Sequence, residues 1–260
     1  MTVDTTPVYA AARTRPRPAL AKLTLTEVRL LLREPVALFW GLAFPMALLA
    51  VMGLASSGPQ ADLGGLRLVA VYEPILIAFV TVAFAIQGLP AVVAGYRERR
   101  VLRRMATTPV GPVRVVAAQL AVNLAVVLVA TAGILAVGRL AFGVALPGQP
   151  VGFFVTYVLT ATAMLGLGML IAALAPTGRA AGVIGTMLFF PLMFFAGLWV
   201  PRAQMPASLQ QISNFTPLGA AVQALQDSLR GVWPHPSGLA VLAGYAIVFT
   251  VAAARFFRWD

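Results

Sequence analysis

Five arginines and a single acid crowd the stretch YRERRVLRRMATTPVGP, from Tyr96 to Pro112. On a helical wheel Arg97, Arg99, Arg100, Arg103 and Arg104 form one continuous arc around Glu98, and Val101, Leu102 and Met105 take the other side. A short helix of this kind lies along a membrane surface or is gripped by a protein there. Covalent chemistry needs other residues, and the chain has few. It contains no cysteine, hence no thiol nucleophile, thiolate metal site or disulfide. Its one histidine, His235, cannot build a His-cluster metal site alone. Asp227 and His235 share one joint, but a chance neighbourhood outweighs a catalytic pair. The one lysine, Lys22, lies in ALAKLTL, without the glycine-rich turn that a Walker A phosphate loop requires. The chain therefore has no ATP-binding motif of that kind.

The elements that must position the arginine stretch are apolar. Of the 260 residues 60% are hydrophobic and only 10% charged, with a mean hydropathy of +0.89. That is the composition of a membrane protein, since soluble domains carry roughly 25% charged residues. The net charge of +11 does not point to nucleic acid, because the basic residues sit in joints between long apolar runs. Residues 1–18 read as a disordered tail, and 19–260 as a single transmembrane domain. Within 19–34, Lys22, Thr26, Arg29 and Arg33 form a polar stripe, the mark of an interfacial helix with its basic side toward anionic lipid headgroups. Six spans are expected near 36–56, 74–94, 114–138, 151–175, 180–200 and 237–254. The fold class is an all-α integral membrane protein. Pro45, Pro90 and Pro191 fall inside apolar runs and are expected to kink them.

With the N-terminus inside, fifteen of the 19 basic residues lie on the cytoplasmic side, so both termini and the arginine stretch are placed there. The joint 201–236 is then external. Thr216 before Pro217 reads as a helix start, Gly231 as a stop, and a second short helix is expected over 206–214. An ion-coupled carrier keeps a protonatable group inside the bilayer. Here the only candidate is Glu73, expected as a carboxylate marking the outer interface. Gln87 and Asn123 are intramembrane polar residues of the type that more often bond helix to helix than bind substrate. Topology alone needs fewer charges than the arginine stretch holds, and its apolar face asks for cover.

Three motifs carry a resemblance to a known family: RLLLREPVALFWGLAFPMALLAVMG (29–53), RERRVLRRMATTPVGPVRVVAAQL (97–120) and VPRAQMPASLQQISNFTPLGAAVQAL (200–225). In order and spacing the chain resembles the permease subunits of type-2 ATP-binding-cassette exporters, especially the daunorubicin-resistance kind. It departs at Arg100, where the family usually has glycine, and at Gln119, where a basic residue often stands. The resemblance implies a coupling helix between spans two and three, seated in a separate ATPase subunit. Two such ATPases, holding ATP and Mg, would drive a permease dimer formed with a second copy or a paralogue. It assigns Arg97, Glu98, Leu102, Arg103, Arg104, Thr107 and Pro109 to the coupling signature. Glu98 and the arginines, Arg99 and Arg100 included, would make charged contacts with the ATPase, and Leu102 and Met105 the buried anchor. Met205, Pro206 and Pro217 would close the outer end of the path.

The expected function is export of a hydrophobic or amphiphilic drug-like molecule across the cell membrane, with no catalytic site, cofactor or metal in this chain. Gln87, Asn123, Phe190 and Phe194 are the weak candidates for the substrate path, in a chain whose span five holds Phe189, Phe190, Phe194, Phe195 and Trp199. Export of a lipid or lipid-linked glycan is the alternative within the family. A non-transporting membrane anchor or assembly subunit is the alternative from another class.

Overall fold

The computed structural model describes residues 35–55, 58–60, 63, 65–107 and 111–257, together with Leu25, Arg29 and Arg33. The expected tail and nearly all of the expected interfacial helix lie outside the described residues. Regular structure among those described is helical, apart from one isolated bridge between Gln60 and Leu66. Helix α1 runs through Pro35–Leu38, a π-helical segment Phe39–Ala43 and Phe44–Ala55. Helix α2, Leu68–Glu98, has the same construction, with α-helical Leu68–Val82, π-helical Ala83–Gly88 and α-helical Leu89–Glu98. A short helix α3, Val101–Ala106, precedes α4, Pro112–Phe142. Then come α5 (Pro150–Leu174), α6 (Gly178–Ala196), two short helices α7 (Ala207–Phe215) and α8 (Pro217–Leu229), and α9 (Pro236–Phe256).

Both π segments end two residues before a proline, at Pro45 and at Pro90. A proline lacks the N–H that an α-turn would use, and its ring excludes the carbonyl four residues earlier. Widening the preceding turn accommodates this: the Phe44 N–H bonds the Phe39 carbonyl and the Leu89 N–H bonds the Phe84 carbonyl. At Pro45 and Pro90, where kinks are expected, a π turn precedes each proline and the helix runs on. Elsewhere the punctuation is ordinary. Helices α4, α5, α8 and α9 each begin on a proline, and α4 and α6 end on Gly143 and Gly197 at positive φ.

Helices α2, α4, α5, α6 and α9 are long and apolar enough to cross a membrane, and α1 contributes a shorter apolar stretch, Phe39–Ala55. Helix α2 is apolar on every side and accordingly lies in the centre, where Leu76, Val80, Ala85 and Ile86 are fully buried. Gly168 of α5 and Gly185 of α6 lie directly against the Ala85 and Ile86 carbonyls, so a side chain at either would strike the α2 backbone. By contrast α4, α6 and α9 leave open apolar faces, among them Val129, Met187 and Ile247. The central helix thus carries the arginine stretch at one end, called the elbow end below. The α7–α8 hairpin closes the far end.

Candidate functional site

The elbow is built from the end of α2, a two-residue turn and α3. The turn depends on Arg100, the one non-glycine residue with positive φ among those described (φ 56°, ψ 24°). A left-handed conformation crowds a side chain and suits glycine, the residue the resembling family usually has here. From this turn α3 lays its apolar face inward. Leu102 is 1% exposed among Leu89, Val93, Val115, Val116 and Ala172, with Met105 and Phe257 packed at the rim. The face expected to seek cover from a partner is covered by the chain's own helices. The opposite face is open: Arg99, Arg100, Arg103, Arg104 and Thr107 are exposed, and no hydrogen bond or ion pair among the described residues holds those four guanidinium groups. Thr107 Oγ1 donates to the Arg104 carbonyl at 2.8 Å. Pro109 lies outside the described residues.

Arg97 and Glu98 are engaged within the chain. The Arg97 guanidinium donates to the carbonyls of Ala173, at 3.0 Å, and of Ala175, at the end of α5. The Glu98 carboxylate accepts from the Gly178 N–H at 3.0 Å, at the start of α6. Gln119 is buried on α4 and donates to the Tyr96 hydroxyl at 3.3 Å, a position where a basic side chain would be stripped of water.

The proposed path residues are divided by the fold. Gln87 lines an open groove of about 560 Å³ with Arg179, Gly182, Val183, Thr186 and Met187. Phe190 continues that face of α6 one turn on, 55% exposed and stacked on Trp199 at 5.9 Å. Asn123 is elsewhere: it is buried on α4 and donates to the Gln119 carbonyl at 2.9 Å. Phe194 pairs edge-on with Phe195 near the far end.

At the far end α8 is almost wholly buried, from Pro217 and Leu218 to Leu225 and Ser228. Thr216 caps it, accepting from the Gly219 N–H. Ser213 Oγ donates to the Phe195 carbonyl at 2.8 Å, and the Tyr245 hydroxyl donates to the Phe215 carbonyl at 3.0 Å. Met205 is buried and Pro206 exposed, so of the three expected gate residues two are packed into this plug. Burial pushes the Asp227 carboxyl above its ordinary range, opposed by the His235 backbone N–H and by Arg230. Burial also pulls the Arg202 guanidinium down, with the Asp227 charge opposing. Each charge is partly stripped of water and offsets the other.

Glu73 requires a correction. Helix α2 starts at Leu68, six residues before the span expected from 74, so Glu73 lies inside the helix and not at its edge. It is 1% exposed, seated against Gly138 of α4, where a Cβ would come within 2.6 Å of its Oε1. Its Oε2 has no hydrogen-bond partner in the described structure. The glycine that makes room for it is 65 positions away, so no local pattern announces the burial.

The model of the ABC-2 type transporter family matches residues 19–229. Among curated proteins the chain is similar to nodulation protein J of Rhizobium leguminosarum bv. viciae, with 32% identity over 73 residues. That match covers 28% of this chain and 28% of the relative's length.

Proposed function

The chain belongs to the ABC-2 type transporter family, and on that premise we propose that it is the permease subunit of an exporter of the daunorubicin-resistance kind. In this reading it moves a hydrophobic or amphiphilic drug-like substrate out of the cell, using ATP hydrolysed by a separate ATPase subunit. The observation that carries the reading is the elbow: Arg99 and Arg100 in the turn and Arg103 and Arg104 on α3 face outward, with no partner among the described residues, while Leu102 locks the other side of α3 into the core. A purely lipid-facing helix would turn its apolar side to the bilayer. This one presents charge alone, the surface that an acidic patch on a docking protein recognises through charge-assisted hydrogen bonds.

The elbow end is cytoplasmic on this reading, as are both termini, and the plug formed by α7 and α8 closes the external end. Two copies, or this chain and a paralogue, form the dimer, with the open α6 face about Gln87, Thr186 and Phe190 toward the path between them. The chain's own residues bind and move; ATP and Mg are held by the ATPase. The test is reconstitution of the permease with its ATPase in liposomes, with substrate-stimulated ATP hydrolysis measured against a panel of amphiphilic drugs and lipid-linked glycans. Stimulation by the drugs supports the reading. Stimulation by the glycans alone moves the substrate class to lipid export, and hydrolysis indifferent to every substrate favours an anchor.

A further inference from the structure

Two consecutive residues of the elbow reach two different helices. Arg97 places its guanidinium on the last carbonyls of α5, and Glu98 places its carboxylate on the first N–H of α6. The charges match the helix ends they meet. Carbonyls left unpaired at a helix C-terminus carry partial negative charge, and the free N–H groups of an N-terminus carry partial positive charge. Only residues 175–177 separate the two helices, and Thr177 is itself fixed by accepting from the Ala180 N–H at 3.1 Å. Ala175 is fully buried. Gly178 brings the start of α6 onto the α2 backbone, since a Cβ there would lie 2.7 Å from the Ala91 carbonyl and 3.2 Å from the Gly95 Cα.

We propose that Arg97 and Glu98 are positioning residues that clamp the α5–α6 turn to the elbow, so that a force applied at α3 carries α5 and α6 along with α2. This rests on the exporter reading for the source of the force, but the clamp itself does not. At Gly168, Gly178 and Gly185 the helices meet backbone to backbone, with no glycine side chain to interlock them. The clamp supplies a side-chain link at the end where α3 is attached. Because Glu98 is exposed, its bond adds little to overall stability, and its loss leaves a folded protein.

The first arm of the test uses the full-length permease alone in lipid nanodiscs, read by amide hydrogen exchange. Glu98→Ala should speed exchange at Gly178 about tenfold, the loss of one charge-assisted hydrogen bond, while α4 is unchanged. Glu98→Gln, which keeps an acceptor oxygen but not the charge, should fall between Glu98→Ala and the wild type. Arg97→Met should loosen the amides at the end of α5, and Arg97→Lys should restore part of the protection. Exchange around 173–180 unchanged in both Glu98→Ala and Arg97→Met would overturn the clamp. In the second arm the same variants are reconstituted with the ATPase, and substrate molecules exported per ATP are counted. That ratio should fall at least fivefold in Arg97→Met and Glu98→Ala with hydrolysis retained, and recover in part in Glu98→Gln. An unchanged ratio alongside faster exchange would overturn the transmitting role. A wild-type permease that never stimulates hydrolysis would sink the exporter reading instead, with the exchange arm still deciding the clamp.

Discussion

The elbow and the far-end hairpin are both short helices strung between membrane spans, yet they spend their residues in opposite ways. The hairpin turns inward: α8 buries Leu218, Ala221, Leu225 and Ser228 completely, and Ser213 and Thr216 bond carbonyls or amides of the same chain. Among its described residues α3 keeps one fully buried side chain, Leu102, and the elbow turns four guanidinium groups outward. A segment such as α8, which buries most of its length and is capped by Thr216, is largely completed by its own chain. A segment that fixes its apolar side and leaves its charges open is prepared for a second protein. On the exporter reading, the difference marks the elbow as the end for the ATPase and the hairpin as the plug.

Substitutions at matched positions should break or sharpen this contrast. The largest effect is expected at Leu218→Ala, which opens a cavity in the main core and should cost about 3–5 kcal/mol in SDS-titrated unfolding. Leu102→Ala should cost less, about 2–3 kcal/mol, because its small cluster at the protein's edge can close around the gap. A reversed order would mean that the elbow, and not the hairpin, is the better-packed unit. Thr216→Ala removes the α8 cap and should cost about 1 kcal/mol by the same titration. The smallest change has the other sign. Arg100→Gly relieves the left-handed turn and should stabilise the protein by up to about 1 kcal/mol.

Much of this was legible in the sequence for physical reasons. Spans announce themselves by composition, and Thr216, Pro217 and Gly231 announce the start and stop of α8 because caps and left-handed turns need those residue types. The αL turn showed itself only as an oddity, an arginine where the resembling family has glycine. What stayed hidden was whatever depends on distant partners. Arg97 and Glu98 meet residues 76 to 80 positions away, contacts that the charge cluster in the sequence does not announce. Glu73 is buried because α4 offers Gly138, and Asn123 bonds the Gln119 carbonyl of its own helix. The π segments could have been anticipated from Pro45 and Pro90, but the proline signal reads equally well as a kink.

The central claim is that the exposed arginines of α3, and not its apolar face, receive the ATPase. The direct measurement is the affinity of the nanodisc-embedded permease for its ATPase subunit, with Arg103→Glu and Arg104→Glu combined, followed by unfolding of the same variant. The account predicts binding weakened by about a hundredfold or more, steep salt dependence in the wild type, and stability within about 0.5 kcal/mol of the parent. Unchanged affinity in the reversed-charge variant, with affinity lost instead on a folded Met105→Ala, would contradict it.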